Sequence, residues 1–195
     1  GNVGSYAAKF LHEYGCKIIG VSDISGGLYA PEGFDVEELF DYNYKHRTID
    51  GYQYGKKITN EELLASECDF LIPAALGSAI NEDNVDSLNC KIIIEAANGP
   101  VTGEAADKLW KKKIAIIPDI LTNAGGVTVS YFEWVQNLQQ FKWPEDEINQ
   151  KLEQKMVAAF NEVYSVKQNK NVPMRIASFM VAIDRVSTAY NLREG

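Results

Sequence analysis

The sequence predicts an α/β fold: a doubly wound, mostly parallel sheet with closing C-terminal helices, its first strand missing from this chain. Three observations lead there. Short apolar runs alternate with segments of helical periodicity. The runs end in Gly, Asn, Asp or other small residues rather than in bulky ones. The final stretch carries helical spacing with no strand signal after it, so it packs back over the sheet or onto a neighbouring domain.

Each element has a local reason. Val3 to Tyr14 reads as a helix, with Val3, Ala7, Phe10, Leu11 and Tyr14 at helical spacing and Gly15 to end it. Lys17 to Asp23 contains Ile18-Ile19-Gly20-Val21, the kind of run a buried parallel strand shows. Ser25-Gly26-Gly27 breaks it, and Tyr29 to Gly33 continues as a loop. Asp35 caps a helix running to about Lys45, and Thr59-Asn60-Glu61-Glu62 is a capping box that opens a short one. Strands follow at Asp69 to Pro73 and Lys91 to Ala96. Thr102 caps a helix through Leu109 and Trp110, and a strand at Ile114 to Ile117 is stopped by Pro118. Three helices close the chain. The first covers Val127 to Leu138. The second follows Pro144 and carries Ile148, Leu152, Met156, Ala159, Phe160 and Val163 on one face. The third follows Pro173 and carries Ile176, Phe179, Met180, Ile183 and Val186. Residues 1–140 then form the sheet domain and 141–195 the closing helices.

Composition narrows the function. The chain has 195 residues, 46% hydrophobic and 24% charged, which is ordinary for a globular protein and excludes a disordered chain or a fibre. A net charge of −8 repels phosphate backbones, so nucleic acid is not an expected partner. No apolar run reaches the roughly 20 residues a membrane helix needs, so no membrane partner is expected. Cys16, Cys68 and Cys90 are scattered and show no metal-ligand spacing, which predicts reduced thiols, a cytoplasmic setting and no metal site. His12 and His46 read as surface residues, Cys90 as a core thiol, and Trp134 and Trp143 as packing anchors. The chain opens on Gly1-Asn2-Val3-Gly4 with no Met, so a longer parent is expected to continue N-terminally.

In open parallel sheets, ligands bind beyond the carboxyl ends of the strands. Those ends are Asp23-Ile24-Ser25-Gly26-Gly27, then Pro73-Ala74-Ala75 with Gly77, then Ala96-Ala97-Asn98-Gly99-Pro100, and finally Pro118-Asp119 with Thr122-Asn123-Ala124-Gly125-Gly126. Small residues admit a flat ligand, and Asn and Asp orient it, although turn chemistry explains any one of these ends alone. Gly1-Asn2-Val3-Gly4 matches the last four positions of the glycine fingerprint G-x-G-x-x-G; a plain glycine turn before a helix is the alternative. Two features favour the fingerprint. A helix follows directly, so its free N–H groups and dipole can hold a pyrophosphate. Asp23 lies 19 positions after Gly4, at the end of the next strand, where a carboxylate accepts from adenosine ribose hydroxyls. A carboxylate there repels a 2′-phosphate, which favours NAD, with NADP possible if basic neighbours intervene. The fold is thus Rossmann-like. No catalytic constellation stands out, and none is assigned to this chain.

The residues resemble the glutamate dehydrogenase family over the whole chain. The resemblance is carried by Pro118 to Asn137 (PDILTNAGGVTVSYFEWVQN), by Gly1-Asn2-Val3-Gly4, by Val21-Ser22-Asp23 with Gly26-Gly27, by Ile72-Pro73-Ala74-Ala75, and by Glu95 to Thr102. It implies NAD-linked oxidative deamination of L-glutamate to 2-oxoglutarate and ammonia, reversibly, by a hexameric enzyme. It implies that Gly1, Asn2, Val3 and Gly4 meet the pyrophosphate, Asp23 the adenosine ribose and Ile24 the adenine. Ala74 and Ala75 would line the cleft, Asn98 would meet the nicotinamide ribose and Asn123 its carboxamide. Val127 and Ser130 would face the substrate, with Ser130 on its side-chain carboxylate. The family's catalytic Lys and Asp belong to an N-terminal domain outside this chain, so the chain alone is expected to be inactive. A branched-chain or aromatic amino-acid dehydrogenase, or a non-catalytic NAD-binding module, is the alternative.

Overall fold

The computed structural model describes residues 1–194. Gly1–Ala115 form one compact unit, and the chain from Ile116 onward forms a second.

The first unit opens with α1 (Asn2–Glu13), with Gly1 at its N-cap. The helix is where its apolar spacing placed it, but that face is only half covered. No residue of α1 is fully buried, and Val3, Tyr6, Phe10 and Tyr14 stay exposed. β1 (Gly20–Asp23) is shorter than the apolar run around it. Ser25-Gly26-Gly27 does not open a loop, as the sequence suggested. Gly26–Tyr29 is a second strand, β2, folded back on β1 in register from Gly20↔Tyr29 to Asp23↔Gly26. The two-residue connection Ile24-Ser25 is a hairpin turn, and Gly26 sits at φ 128°, a conformation that suits glycine. Gly27 is a packing glycine instead. A Cβ there would lie 3.2 Å from Ile58 Cγ1 and 3.3 Å from Leu63 Cβ. β3 (Lys56–Ile58), which the sequence did not announce, extends this antiparallel sheet in the order β1-β2-β3.

Two helices flank it, each started by the cap the sequence proposed. Asp35 accepts from Glu38 N–H at 3.0 Å at the start of α2 (Val36–His46). Thr59 and Glu62 complete both bonds of a capping box on α3 (Asn60–Leu64). Leu28, Ala30, Phe34, Val36, Leu39, Ile49 and Tyr52 form the core here. The parallel pairing expected of the sheet appears between β4 (Cys68–Leu71) and β5 (Cys90–Ile94), in register at Cys68↔Cys90 and Phe70↔Ile92. The strand order is β4-β5-β6, with β6 at Ala115–Ile117. α4 (Gly103–Lys111) starts on the Thr102 cap and buries Ala105 and Leu109.

The second unit is helical beyond β6. Pro118 both stops the strand and begins a short helix, α5 (Asp119–Thr122). α6 (Ala124–Gln139) starts ahead of Val127 and takes Gly125-Gly126 into its first turn. α7 (Glu145–Lys170) and α8 (Met174–Glu194) follow. Leu121, Val163, Met174, Ala177 and Val181 form a core. The face read for α8 is therefore corrected. Met174, Ala177, Ser178 and Val181 are buried, while Ile176, Phe179, Met180, Ile183 and Val186 are exposed. Small residues allow α8 to lie close to α7, and close approach rather than side-chain size selects the buried stripe. Trp143 packs on Phe132 at 5.9 Å, but Trp134 is 56% exposed and is not an interior anchor.

Candidate functional site

The loops beyond the strands of the first unit are stitched together by backbone contacts. Pro73 C=O accepts from the N–H groups of Ala96 (3.1 Å) and Ala97 (2.9 Å), and Gly99 C=O accepts from Ser78 N–H at 2.8 Å. These bonds fix the segment carrying Ala74 and Ala75 against the one carrying Asn98. A Cβ on Gly77 would lie 3.3 Å from Asn98 C=O, so a small residue is needed at this crossing. The start of α1 belongs to the same cluster. A Cβ on Gly4 would meet Ala74 Cβ at 3.6 Å. Ser5 N–H is the donor bonded to Gly1 C=O, so the N–H groups of Asn2, Val3 and Gly4 precede the helix's own ladder and have no partner within it. Open space surrounds Gly1, where a Cβ would meet nothing within 4 Å. Asn98 and Ala75 are exposed and Ala74 is half-buried.

Asp23 ends β1, and four hydrogen bonds converge on its carboxylate. Oδ1 accepts from Ser25 N–H at 2.7 Å and from Ser25 Oγ. Oδ2 accepts from Thr48 Oγ1 and from Ile49 N–H, both at 2.8 Å. Burial pulls the carboxyl upward, but the bonds from Ser25, Ile49 and Thr48 outweigh it and hold Asp23 below its ordinary range. The group is therefore ionised and oriented. Two of its donors are hydroxyls that can rotate away in favour of a ligand hydroxyl. Ile24 beside it is fully exposed, an apolar surface at the hairpin tip.

Asn123, Val127 and Ser130 lie in the second unit. Asn123 sits between α5 and α6, with φ −95° and ψ 5°. Val127 and Ser130 are exposed on α6, three residues apart and so on one face. The Ser130 hydroxyl donates to Gly126 C=O at 3.2 Å, a bond back to its own helix. Asp119 caps its own turn through Ile120 N–H at 2.8 Å and pairs with Arg175 at 3.7 Å, which gives that arginine a structural partner.

Sequence reading overlooked the residues that hold Asp23. Thr48 and Ile49 lie in a loop after α2, and nothing in their spacing from Asp23 announces the contact. It exists because the β1-β2 hairpin brings that loop over the strand end. Glu95, directly after β5, is fully buried. Among the described residues, no group of three or more His, Cys, Asp or Glu is placed to hold a metal ion, and no helix is long and apolar enough to cross a membrane. All three cysteines are free thiols, and burial pushes Cys90 up to about 11.

The family model for glutamate/leucine/phenylalanine/valine dehydrogenases matches residues 1–194. The chain is 52% identical over 194 residues to a glutamate dehydrogenase of Thermotoga maritima, covering 99% of this chain and 47% of the relative. It is 47% identical to a cryptic catabolic NAD-specific glutamate dehydrogenase of Bacillus subtilis over 193 residues, 99% of this chain and 45% of that one. Among solved structures, it is similar to glutamate dehydrogenase from Peptoniphilus asaccharolyticus (TM-score 0.82, 35% identity, 99% of this chain and 45% of that one). It is also similar to the hetero-hexameric glutamate dehydrogenase of Thermus thermophilus in its Leu-bound form (TM-score 0.90, 28% identity, 99% and 45%). The chain spans about half the length of the relatives it matches.

Proposed function

The chain belongs to the glutamate/leucine/phenylalanine/valine dehydrogenase family, and from that premise we propose that it is the cofactor-binding part of a glutamate dehydrogenase. The reaction is NAD-linked, reversible oxidative deamination of L-glutamate to 2-oxoglutarate and ammonia. One observation carries the cofactor reading. Within one unit, an unladdered helix start, a small-residue loop pressed on it at Gly4 and Ala74, and an oriented carboxylate at Asp23 stand together. These residues fit a dinucleotide. The N–H groups of Asn2, Val3 and Gly4 donate to the pyrophosphate at the helix start, where the dipole favours negative charge. Asp23 accepts from the adenosine ribose, and Ile24 covers the adenine. Ala74 and Ala75 leave room for the cofactor, and Asn98 orients its nicotinamide ribose. The chemistry supplied there is hydride transfer to and from the nicotinamide ring.

Val127 and Ser130 are proposed to form one wall of the substrate pocket. An apolar amino acid would leave the Ser130 hydroxyl without its charged partner, which discriminates in favour of a second carboxylate. The strand-end loops carry Asn98, Asp119 and Asn123 and no Lys or Arg. These loops offer no cation of their own for the α-carboxylate, and the chain alone is proposed to bind cofactor without turning over. Residues 1–140 act as the dinucleotide domain. Residues 141–195, whose α8 exposes Ile176, Phe179, Ile183 and Val186, pack toward the substrate domain. The whole enzyme is proposed to be a cytoplasmic homohexamer, in keeping with its free thiols.

The test is NADH formation by the full-length protein on L-glutamate, L-leucine, L-valine and L-phenylalanine. The highest kcat/KM is expected for L-glutamate. A preference for an apolar amino acid assigns the chain to another member of the family. NAD binding without turnover on any of the four leaves only the binding-module reading.

A further inference from the structure

The antiparallel register places Val21, Leu28 and Lys57 across from one another, through Val21↔Leu28 and Leu28↔Lys57. Asp23 lies two residues beyond Val21 and so shares their face of the sheet. The loop after α2 covers this face. A small cleft there is lined in part by Ser25, Gly26, Ile49, Asp50, Lys57 and Ile58. Lys57 is the one cation among the lining residues. It is paired with Asp50, its Nζ 2.6 Å from Asp50 Oδ1. Asp50 is tied in turn to the ribose carboxylate, since its N–H donates to Thr48 Oγ1 at 3.1 Å and that hydroxyl donates to Asp23 Oδ2 at 2.8 Å.

Asp50 and Lys57 are thus joined through Thr48 to the carboxylate that is proposed to meet the adenosine ribose. Asp23 alone is a weak barrier to a 2′-phosphate, because a lysine on a flexible four-carbon stem could swing to neutralise the incoming charge. Asp50 removes that option by holding the ammonium. The pair is solvent-exposed on both sides, so the lysine is releasable once its partner is neutral.

We propose that Asp50 is a specificity-determining residue: by occupying Lys57 it withholds the cleft's cation from the 2′-phosphate of a phosphorylated dinucleotide, and so biases the site toward NAD. The inference rests on the dinucleotide reading of this unit and names a residue outside the expected ribose contact.

The experiment is calorimetric titration of NAD and of NADP into the full-length protein, comparing wild type, Asp50→Asn and Asp50→Asn with Lys57→Ala, each checked for folding by circular dichroism. Asp50→Asn should tighten NADP binding by about tenfold, the scale of one hydrogen bond to a charged group, and shift NAD binding by much less. Removing Lys57 in the same background should abolish the gain, and added salt should shrink it. An NADP-to-NAD affinity ratio unchanged by Asp50→Asn overturns the proposal, as does a gain that survives loss of Lys57. An Asp23→Ala arm separates the two levels. If the wild type binds neither dinucleotide, or binds NAD equally well without the Asp23 carboxylate, the ribose reading itself falls and this inference with it.

Discussion

Asp23→Asn should destabilise the first unit and flatten part of its acid denaturation. Four donors converge on this carboxylate, two per oxygen: Ser25 N–H and Oγ on one, Thr48 Oγ1 and Ile49 N–H on the other. An amide has one acceptor oxygen, so one pair of donors must face an NH2 group. Whichever pair that is contains a backbone N–H, of Ser25 or of Ile49, that cannot rotate away. A donor left without its acceptor costs about 1–3 kcal/mol, and loss of charge weakens the remaining pair. The site is half-buried, so water recovers part of this, and the expected loss is about 1.5–2 kcal/mol. The pH dependence follows from the lowered folded-state value of Asp23, whose ordinary value is 3.8. Between that lowered value and 3.8 the unfolded chain binds more protons than the folded one, so stability rises with pH there. The contribution is complete above this window and is lost as pH falls through it. Urea midpoints followed by circular dichroism, at neutral pH and down an acid series, read both effects. Equal midpoints for the two proteins, or acid limbs that superimpose, would refute the reasoning.

Ser130→Ala in the full-length enzyme should lower kcat/KM for glutamate roughly ten- to a hundredfold and lower it less for norvaline; equal losses on both would leave Ser130 only its bond to Gly126. Thr59→Ala should remove the capping box of α3 and cost about 1 kcal/mol, read as a lower urea midpoint. Gly27→Ala should cost about 1–3 kcal/mol by overpacking against Ile58 and Leu63; a neutral result would mean that β2 and α3 can separate freely.

The elements that were legible in the sequence are those with local causes. Asp35, Thr59 and Thr102 each accept from the backbone N–H three residues on, and each starts a helix as proposed. β4 and β5 were marked by apolar runs, and Pro144 and Pro173 each precede a long helix. What was not legible depended on tertiary contact. Gly26-Gly27 reads as a breaker until Ile58 and Leu63 are brought against it. The buried stripe of α8 is Ala177 and Ser178 rather than Phe179 and Met180, because α7 selects for close approach. Asp23 ends β1 as its strand run suggested, and the segments carrying Ala74 and Asn98 are joined through Pro73 and Gly77. Thr48, Asp50 and Lys57 had no sequence signal: Thr48 bonds Asp23 from the loop after α2, and Lys57 meets Asp50 of that loop from β3, a strand the sequence did not announce.

Hydrogen–deuterium exchange of the full-length protein with and without NAD tests most directly the claim that the strand ends of this chain hold the cofactor. Slower exchange on adding NAD is predicted at the start of α1 around Asn2 to Gly4, at Ile24 and Ser25, across Ala74 to Gly77, and at Asn98 and Gly99, with little change along α7. Unchanged exchange at all of these segments under saturating NAD, or protection confined to other parts of the chain, would contradict it.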